Sequence, residues 1–218
     1  MYTTHATVIM QELIQKYIQH VEKAAADAEK RVSKCSPEIF ALEGMSGVVT
    51  RHFYNNVVSM ENTRYLEIGT WKGSSTCSAM FGNEADVVCV DNWSEFGDVK
   101  KDFLENVEKF KGTNKLTIIE KDAFATSASD FPHKFNIYLY DGHHSIESHE
   151  KSLTHLIDSM DDVFIFIVDD WGWGDSKTGT RQALAKLGLV VEYEKSYETH
   201  GGSDGWWNGC GVYVLRKP

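Results

Sequence analysis

The feature that most constrains the fold is a series of five short apolar runs that alternate with helical segments after Arg64. The runs cover 65–68, 87–90, 116–119, 135–140 and 163–168. They are nearly continuous and rich in β-branched and aromatic residues, which is typical of strands covered on both faces, as in a parallel sheet. Strands and helices in alternation predict βαβ units and therefore a doubly wound, Rossmann-like α/β sheet.

Two of the segments between the runs carry apolar stripes that predict amphipathic helices. One stripe consists of Phe96, Val99, Phe103, Val107 and Phe110, and the other of Ile146, Leu153, Leu156, Ile157 and Met160.

Two further apolar runs, 190–193 and 211–215, have only the glycine-rich segment 201–209 between them. Strands joined without a crossover helix are expected to be antiparallel. The sequence therefore predicts a seven-stranded sheet in which the last strand alone is antiparallel.

The first third of the chain is predicted to be helical. Apolar residues recur at spacings of three and four and predict a long helix from about Val8 to Val32, which ends before Pro37. A second helix is expected after Pro37 and a third through 48–58. We find no repeat and no linker, so 1–218 is predicted to be one domain, with a helical extension over 1–60 and an α/β core over 61–218. An oligomer, if one forms, is expected to use the N-terminal helices.

Composition excludes several classes of function. The 218 residues include 22 Lys+Arg and 32 Asp+Glu, for a net charge of −10, which argues against a nucleic-acid partner. No apolar stretch approaches the roughly 20 residues of a membrane span, and no basic region precedes an apolar run at the start. The four cysteines form no CxxC pair. We therefore expect no membrane partner and a cytoplasmic location.

Polar clusters follow all five runs of the predicted parallel sheet. They are 67–73, 91–93, 122–123, 141–144 and 169–171. Asp and Gly often end strands for purely structural reasons. However, ligands of open α/β sheets bind outside the carboxyl ends of the strands, and five such ends would converge on one crevice.

The first cluster has the pattern Glu67-x-Gly69-x-x-x-Gly73. Gly69 allows a tight turn, and Gly73 allows the next helix to start close to a ligand. A dinucleotide-binding fingerprint is the alternative interpretation, in which bare amides bind a pyrophosphate. Glu67 argues against phosphates and suits a ligand with hydroxyls and an ammonium or sulfonium charge.

The next clusters extend this predicted nucleoside site. Asp91 ends the second strand, where related folds bind a ribose diol. Trp93 could cover an adenine face or simply pack. The pair Asp122-Ala123 could contact adenine, or Asp122 could cap a helix.

Together these residues resemble a class I S-adenosylmethionine-dependent methyltransferase over about 60–218. The Asp-Gly-x-His-Ser stretch that starts at Asp141 and the Asp-Asp-Trp strand end at 169–171 resemble small bacterial O-methyltransferases related to macrocin O-methyltransferase. The layout is also similar to that of catechol O-methyltransferase, which carries a lysine base near the position of His143 and His144.

The resemblance implies a role for each residue. Those expected to bind the cofactor, S-adenosylmethionine, are Glu67, Gly69, Gly73, Asp91, Trp93, Asp122, Ala123, Asp141 and His143. Those expected to hold Mg²⁺ are Asp141, Asp169 and Asp170. Because Mg²⁺ takes oxygen ligands, such carboxylates suit it, although Asp169 and Asp170 can share an ion only if the strand bends between them.

His144 is the predicted general base, because an imidazole with an ordinary pKa near 6.5 can accept a proton at neutral pH. The alternative is that it only hydrogen-bonds to Asp141 or caps a helix. Four tryptophans, at 171, 173, 206 and 207, lie in glycine-rich segments. They could line a substrate site or anchor loops to the core.

The predicted function is Mg²⁺-assisted O-methylation of a small-molecule hydroxyl. Three alternatives stay open at this point: a metal-independent methyltransferase, an NAD-dependent oxidoreductase and a non-catalytic S-adenosylmethionine-binding protein.

Overall fold

The computed structural model describes residues 5–198 and 202–218. Seven strands occur in these residues: β1 Arg64–Ile68, β2 Asp86–Asp91, β3 Lys115–Glu120, β4 Phe135–Tyr140, β5 Met160–Asp169, β6 Val190–Tyr197 and β7 Cys210–Arg216. The α-helices are α1 His5–Glu29, α2 Pro37–Phe40, α3 Val48–Val58, α4 Ser74–Met80, α5 Lys100–Phe110, α6 Ile146–Thr154 and α7 Gly174–Leu187.

The strands form one sheet in the order β3-β2-β1-β4-β5-β7-β6. All pairs among β1 to β5 are parallel, whereas β7 runs antiparallel to both of its neighbours. The predicted fold class is therefore confirmed: a doubly wound, seven-stranded sheet with an antiparallel last strand and N-terminal helices.

Helices cover both faces of the sheet because side chains alternate between the faces along each strand. Tyr65 of β1 packs with the apolar residues of α1, α3, α4 and α5. Its neighbour Leu66 faces the opposite side, where it packs with residues of α6 and α7. This two-sided cover explains why the strands are continuous apolar runs.

The first helix differs slightly from its predicted bounds. It was expected over about Val8–Val32, but it spans His5–Glu29. Arg31 has a φ of 58°, which lies in the left-handed region and cannot continue a right-handed helix. No helix among the described residues is long and apolar enough to cross a membrane.

Both helices are shorter than their apolar stripes predict. Phe96 precedes α5, is 69% exposed and has a φ of 61°, so the stripe becomes helical only from Lys100. At the other stripe, α6 ends at Thr154, and Met160 already pairs with Phe135 as the first residue of β5. Apolar spacing alone does not reveal where the backbone leaves a helix.

Candidate active site

The strand order reverses between β1 and β4, which places the carboxyl ends of these two strands side by side. In open α/β sheets, such a switch point is where ligands bind. The contact is close: a Cβ added at Gly69 would lie 2.0 Å from the carbonyl oxygen of Asp141. Gly69 also has a φ of 81°, so the turn requires glycine on both counts.

The other predicted strand ends flank this point in sheet order. Asp91 and Asp122 follow β2 and β3 on one side, and Asp169 and Asp170 follow β5 on the other. The five polar clusters therefore lie along one edge of the sheet, as predicted from their positions in the sequence.

Asp91 holds the loop after β1 in place. Its Oδ2 accepts hydrogen bonds from the backbone amides of Thr70 (2.7 Å) and Trp71 (3.0 Å), and its Oδ1 accepts one from the amide of Trp93 (2.7 Å). Trp71 and Trp93 both have positive φ, at 44° and 47°. The carboxylate therefore stabilises two backbone turns that these residues rarely adopt.

Glu67, the next-to-last residue of β1, is fully buried. Its Oε1 accepts a hydrogen bond from Oγ of Ser75 at 2.5 Å, and its Oε2 accepts one from the hydroxyl of Tyr65 at 3.0 Å. Burial raises the pKa of this carboxyl to about 7, and the hydrogen bonds from Ser75, Thr76 and Tyr65 oppose that shift.

This raised pKa predicts a pH-dependent stability. Between 4.5, the ordinary value, and about 7, the folded protein holds a proton on Glu67 that the unfolded chain has lost. The free energy of unfolding should therefore fall as pH rises through this window, by on the order of 3 kcal/mol from this group. Thermal unfolding at pH 5 and pH 8 measures the effect, and Glu67→Gln should lessen the decline.

Glu105→Gln is the matched control, since Glu105 lies on α5 and its side chain is 67% exposed. An equal decline in wild-type protein and Glu67→Gln would contradict the assignment.

Four other predicted cofactor residues make local contacts. A Cβ at Gly73 would lie 2.9 Å from Phe103, so that glycine is needed for packing against α5. The ring of Trp93 lies 5.1 Å from that of Phe103 and donates a hydrogen bond to the carbonyl of Trp71. Asp122 caps the 3₁₀ turn Ala123–Ala125 by accepting from the amide of Phe124, and Ala123 packs at the edge of the core.

His143 is exposed and lies at the start of α6. Its Nδ1 is 3.3 Å from both the amide of Ser145 and Oγ of Ser148, so it supports the helix N-terminus. Its predicted role beside the cofactor stays a prediction.

A cluster of three side chains lies at the ends of β4 and β5. Asp141, His144 and Asp170 each offer one ligand atom, and these atoms lie within 4.8 Å of one another. His144 Nε2 is 3.0 Å from Oδ2 of Asp170. Because a carboxylate accepts, this contact favours the tautomer with hydrogen on Nε2 and leaves the lone pair on Nδ1.

Asp170 reaches this cluster because the chain bends sharply after β5. Its φ of 50° lies outside the strand region, so the chain bends between Asp169 and Asp170. Asn208, from the loop between β6 and β7, donates to Oδ1 of Asp170 at 2.5 Å. Burial raises the pKa of Asp170, but the hydrogen bonds from His144 and Asn208 outweigh it and lower the pKa.

Asp169 does not join the three-residue cluster. Its Oδ1 accepts a hydrogen bond from the amide of Asp170 at 2.9 Å, so it caps the turn, and it is 3% exposed. Burial and the charge of Asp170 raise its pKa to about 7, against the effects of the Asp170 amide and the Tyr54 hydroxyl. Its assignment as a metal ligand stays a prediction.

Four other acidic side chains act on the carboxyl of Asp141. Burial, then the charges of Asp169, Asp170, Glu67 and Asp91, raise its pKa well above the ordinary value. These carboxyls cannot all be ionised at neutral pH unless positive charge is added among them.

Three of the four tryptophans of the later loops have contacts that indicate their roles. Trp171 is buried against Gly211, and Trp206 stacks on Tyr197 at 4.2 Å, so these two anchor loops to the core. Trp173 is 47% exposed, and its ring lies 4.9 Å from that of His144, edge to face. Trp173 is therefore positioned as a candidate substrate contact.

One buried histidine was not singled out from the sequence. His149 of α6 is fully buried, its ring centroid is 6.0 Å from that of His144, and neither of its nitrogens has a partner among the described residues. Burial lowers its pKa to about 4, so it is neutral at pH 7. Its spacing on an ordinary amphipathic helix carries no signal of this position.

Known proteins share this fold. A family model described as a methyltransferase domain matches residues 66–171, from β1 to the first residues after β5. No curated protein matches the chain.

Three similar solved structures show the range of proteins that share the fold. A Podospora anserina methyltransferase, PaMTH1, bound to S-adenosylhomocysteine (SAH), is 12% identical, covering 100% of this chain and 97% of that one with a TM-score of 0.57. A Bacillus cereus O-methyltransferase in complex with SAH is 15% identical, covering 92% and 91%, with a TM-score of 0.56. A ribosomal protein L11 methylase from Lactobacillus delbrueckii is 14% identical, covering 78% of each chain, with a TM-score of 0.53. These likenesses establish the fold and leave the methyl acceptor open.

Proposed function

We propose that this chain, which has the S-adenosylmethionine-dependent methyltransferase fold and matches a methyltransferase domain over 66–171, methylates a hydroxyl group of a small molecule with the help of a divalent cation. The observation that carries this proposal is the cluster of Asp141, His144 and Asp170 beside the switch point. It combines cation ligands with a candidate base at one edge of the sheet.

The edge divides into two halves with different chemistry. The loop after β1 and the end of β2, with Gly69 and Asp91, form the half expected to bind the nucleoside and the sulfonium. S-adenosylmethionine, when bound, supplies an electrophilic methyl group on sulfur. The ends of β4 and β5 form the acceptor half, where Trp173 offers an apolar wall.

The residues at the acceptor half fit a hard divalent cation. Asp141 and Asp170 offer carboxylate oxygens, which Mg²⁺ prefers, and two such ligands suffice because the ion keeps several waters. Burial, followed by the charges of the neighbouring carboxyls, raises the pKa of Asp141, and a bound cation would favour its ionised form. When bound, Mg²⁺ would lower the pKa of an acceptor hydroxyl and orient it.

His144 is suited to remove the hydroxyl proton. Nε2 of His144 lies 3.0 Å from Oδ2 of Asp170, which fixes the orientation of the ring, and Nδ1 is buried without a partner among the described residues. In the proposed step, the imidazole of His144 takes the proton, the oxygen forms a bond to the methyl carbon, and the carbon–sulfur bond breaks to leave a neutral thioether. The paired carboxylate stabilises the imidazolium that forms.

The alternatives predict different results. A metal-independent methyltransferase would keep its activity in a chelator, an NAD-dependent oxidoreductase would bind NAD, and a non-catalytic binding protein would bind SAH without any turnover. A small-molecule acceptor is part of the proposal, because the acidic composition disfavours a nucleic-acid acceptor. A cytoplasmic location is likewise a proposal.

The proposal is tested first by calorimetry with SAH and with NAD. We expect micromolar binding of SAH and none of NAD. Asp91→Ala should weaken SAH binding by about 1.5–3 kcal/mol, since it removes the charged acceptor expected to bind the ribose hydroxyls and also the support of the loop. Asp98→Ala, a change at an exposed aspartate seven residues later, is the control and should bind normally. Binding of NAD but not of SAH would rule out the proposed cofactor.

A further inference from the structure

The loop that precedes β7 reaches the acceptor half of the crevice. Within 202–209, the side-chain amide of Asn208 donates a hydrogen bond to Oδ1 of Asp170 at 2.5 Å. The other oxygen of this carboxylate, Oδ2, lies 3.0 Å from Nε2 of His144. Asp170 is therefore held on both sides, by an amide at one oxygen and by an imidazole at the other.

The backbone of this loop already attaches it to the residues after β5. The amide of Gly172 donates to the carbonyl of Asn208 at 2.6 Å, and the amide of Trp171 donates to the carbonyl of Gly209 at 3.2 Å. Neither bond uses the side chain of Asn208. The side-chain bond to Asp170 therefore acts on the direction of the carboxylate, whereas the backbone holds the loop.

A fixed direction matters for this carboxylate because its own torsion is poorly restricted. The terminal torsion of an aspartate has a broad distribution, and Asp170 lies at a left-handed bend, with a φ of 50°. An amide donor occupies one lone pair and adds no charge, so the other lone pairs of the carboxylate stay available to a cation. A lysine or arginine in the place of Asn208 would compete with that cation.

The N-terminal extension holds the loop from its other side. The amide of Val49, at the start of α3, donates to the carbonyl of Gly205 at 3.2 Å. A Cβ added at Gly47 would lie 2.0 Å from that carbonyl oxygen and 3.0 Å from the amide nitrogen of Trp207. Gly47 has a φ of −71°, which other residues adopt readily, so glycine is required there by this contact alone.

We propose that Asn208 is a positioning residue for the divalent cation of the acceptor half, and that the contact between Gly47 and Gly205 holds its loop in place. This inference rests on the proposed function, because it concerns the cation that Asp141 and Asp170 would bind. Removal of a group that hydrogen-bonds to a metal ligand typically weakens metal binding by about 10–100-fold. Cation binding should therefore depend on α3 and on the loop before β7, although neither supplies a ligand.

The experiment measures binding of Mn²⁺ itself, because Mn²⁺ accepts the same oxygen ligands as Mg²⁺ and the free ion gives an electron paramagnetic resonance signal. Protein saturated with SAH is titrated with Mn²⁺, and SAH binding is measured separately by calorimetry. Asn208→Ala should raise the Kd for Mn²⁺ by about 10–100-fold. Its Kd for SAH should stay nearly unchanged, because Asn208 lies on the acceptor half.

Two further variants separate positioning from a general loss of stability. Gly47→Ala keeps every side chain of the site but forces the loop to shift, so it should also raise the Kd for Mn²⁺, by about 10-fold or more. Asn114→Ala is the matched control, since it removes hydrogen bonds from a side-chain amide to the carbonyls of Met80 and Lys111 just before β3. It should leave Mn²⁺ binding unchanged. Thermal unfolding verifies that each variant is folded.

The outcomes separate the inference from its premise. Wild-type protein that binds no Mn²⁺ in the presence of SAH would overturn the cation of the proposed function, and the inference with it. Wild-type affinity for Mn²⁺ in Asn208→Ala would overturn the role of Asn208 alone, and wild-type affinity in Gly47→Ala would overturn the role of α3. Equal losses of SAH and Mn²⁺ binding in Asn208→Ala would assign the side chain to loop structure and likewise refute the inference.

Discussion

Excess EDTA is expected to abolish methyl transfer while SAH still binds. The physical reason is the separation of the two halves of the crevice: Asp141 and Asp170 lie at β4 and β5, whereas Asp91 and the loop after β1 lie on the other side of the switch point. Removing a cation from the acceptor half should leave the acceptor hydroxyl protonated and poorly oriented. Turnover with a responsive hydroxyl acceptor and SAH calorimetry, each with and without chelator, measure the two effects.

Addition of excess Mg²⁺ should restore turnover, which verifies that EDTA acts by removing the ion. Asp170→Asn should reproduce the loss without chelator, because it removes a charged ligand. Asp162→Asn is the matched control, since Asp162 is exposed near the opposite end of β5. Full activity in excess chelator would reassign the carboxylates to loop capping and cofactor contacts.

Replacement of His144 by alanine is expected to reduce kcat by roughly 10²–10⁴-fold, the usual range for loss of a general base. The contact with Asp170 orients the ring, and no other described histidine offers a ligand atom to this cluster. The KM for S-adenosylmethionine should change little, because His144 lies on the acceptor half. Steady-state kinetics with varied acceptor and varied S-adenosylmethionine measure both parameters.

His155→Ala provides a control at the other end of the same helix. His155 is exposed at the C-terminal cap of α6, where its Nε2 lies 2.7 Å from the carbonyl oxygen of Thr126, so its loss should leave kcat nearly unchanged. If His144 acts as a metal ligand instead of a base, higher Mg²⁺ should rescue His144→Ala. Near wild-type activity of His144→Ala without such rescue would contradict both roles.

Much of the fold follows from local patterns. The strand runs were predicted correctly because the two-sided burial of a parallel strand leaves a continuous apolar run, and the polar clusters lie at the ends of those runs. The antiparallel β7 was predictable because the segment before it has no room for a crossover helix. Helix ends were less accurate, as near Phe96, where Phe96 and Gly97 both have left-handed φ values and α5 begins only at Lys100.

The location of the candidate site was predictable from the sequence, but the arrangement of its side chains was not. The positions of Asp91, Asp141 and Asp170 at strand ends follow from the sequence, since strands of a parallel sheet end along the same edge. The division into a cofactor half and an acceptor half depends on the strand order, in which β4 and not β3 lies beside β1. Apolar runs of similar composition do not specify which strands lie side by side in the sheet.

The sequence by itself determined which residues stand at the ends of the strands, because chain order and local periodicity are properties of short segments. Only the tertiary structure decided where their side chains point. Asp170 meets His144 and Asn208 because a left-handed turn redirects its carboxylate and because β7 returns the Asn208 loop to β5. The side chain of Arg51 on α3 lies near Ser74 at the start of α4 because these two helices pack together. Such contacts join residues far apart in the chain, and their geometry arises from packing that no local pattern encodes.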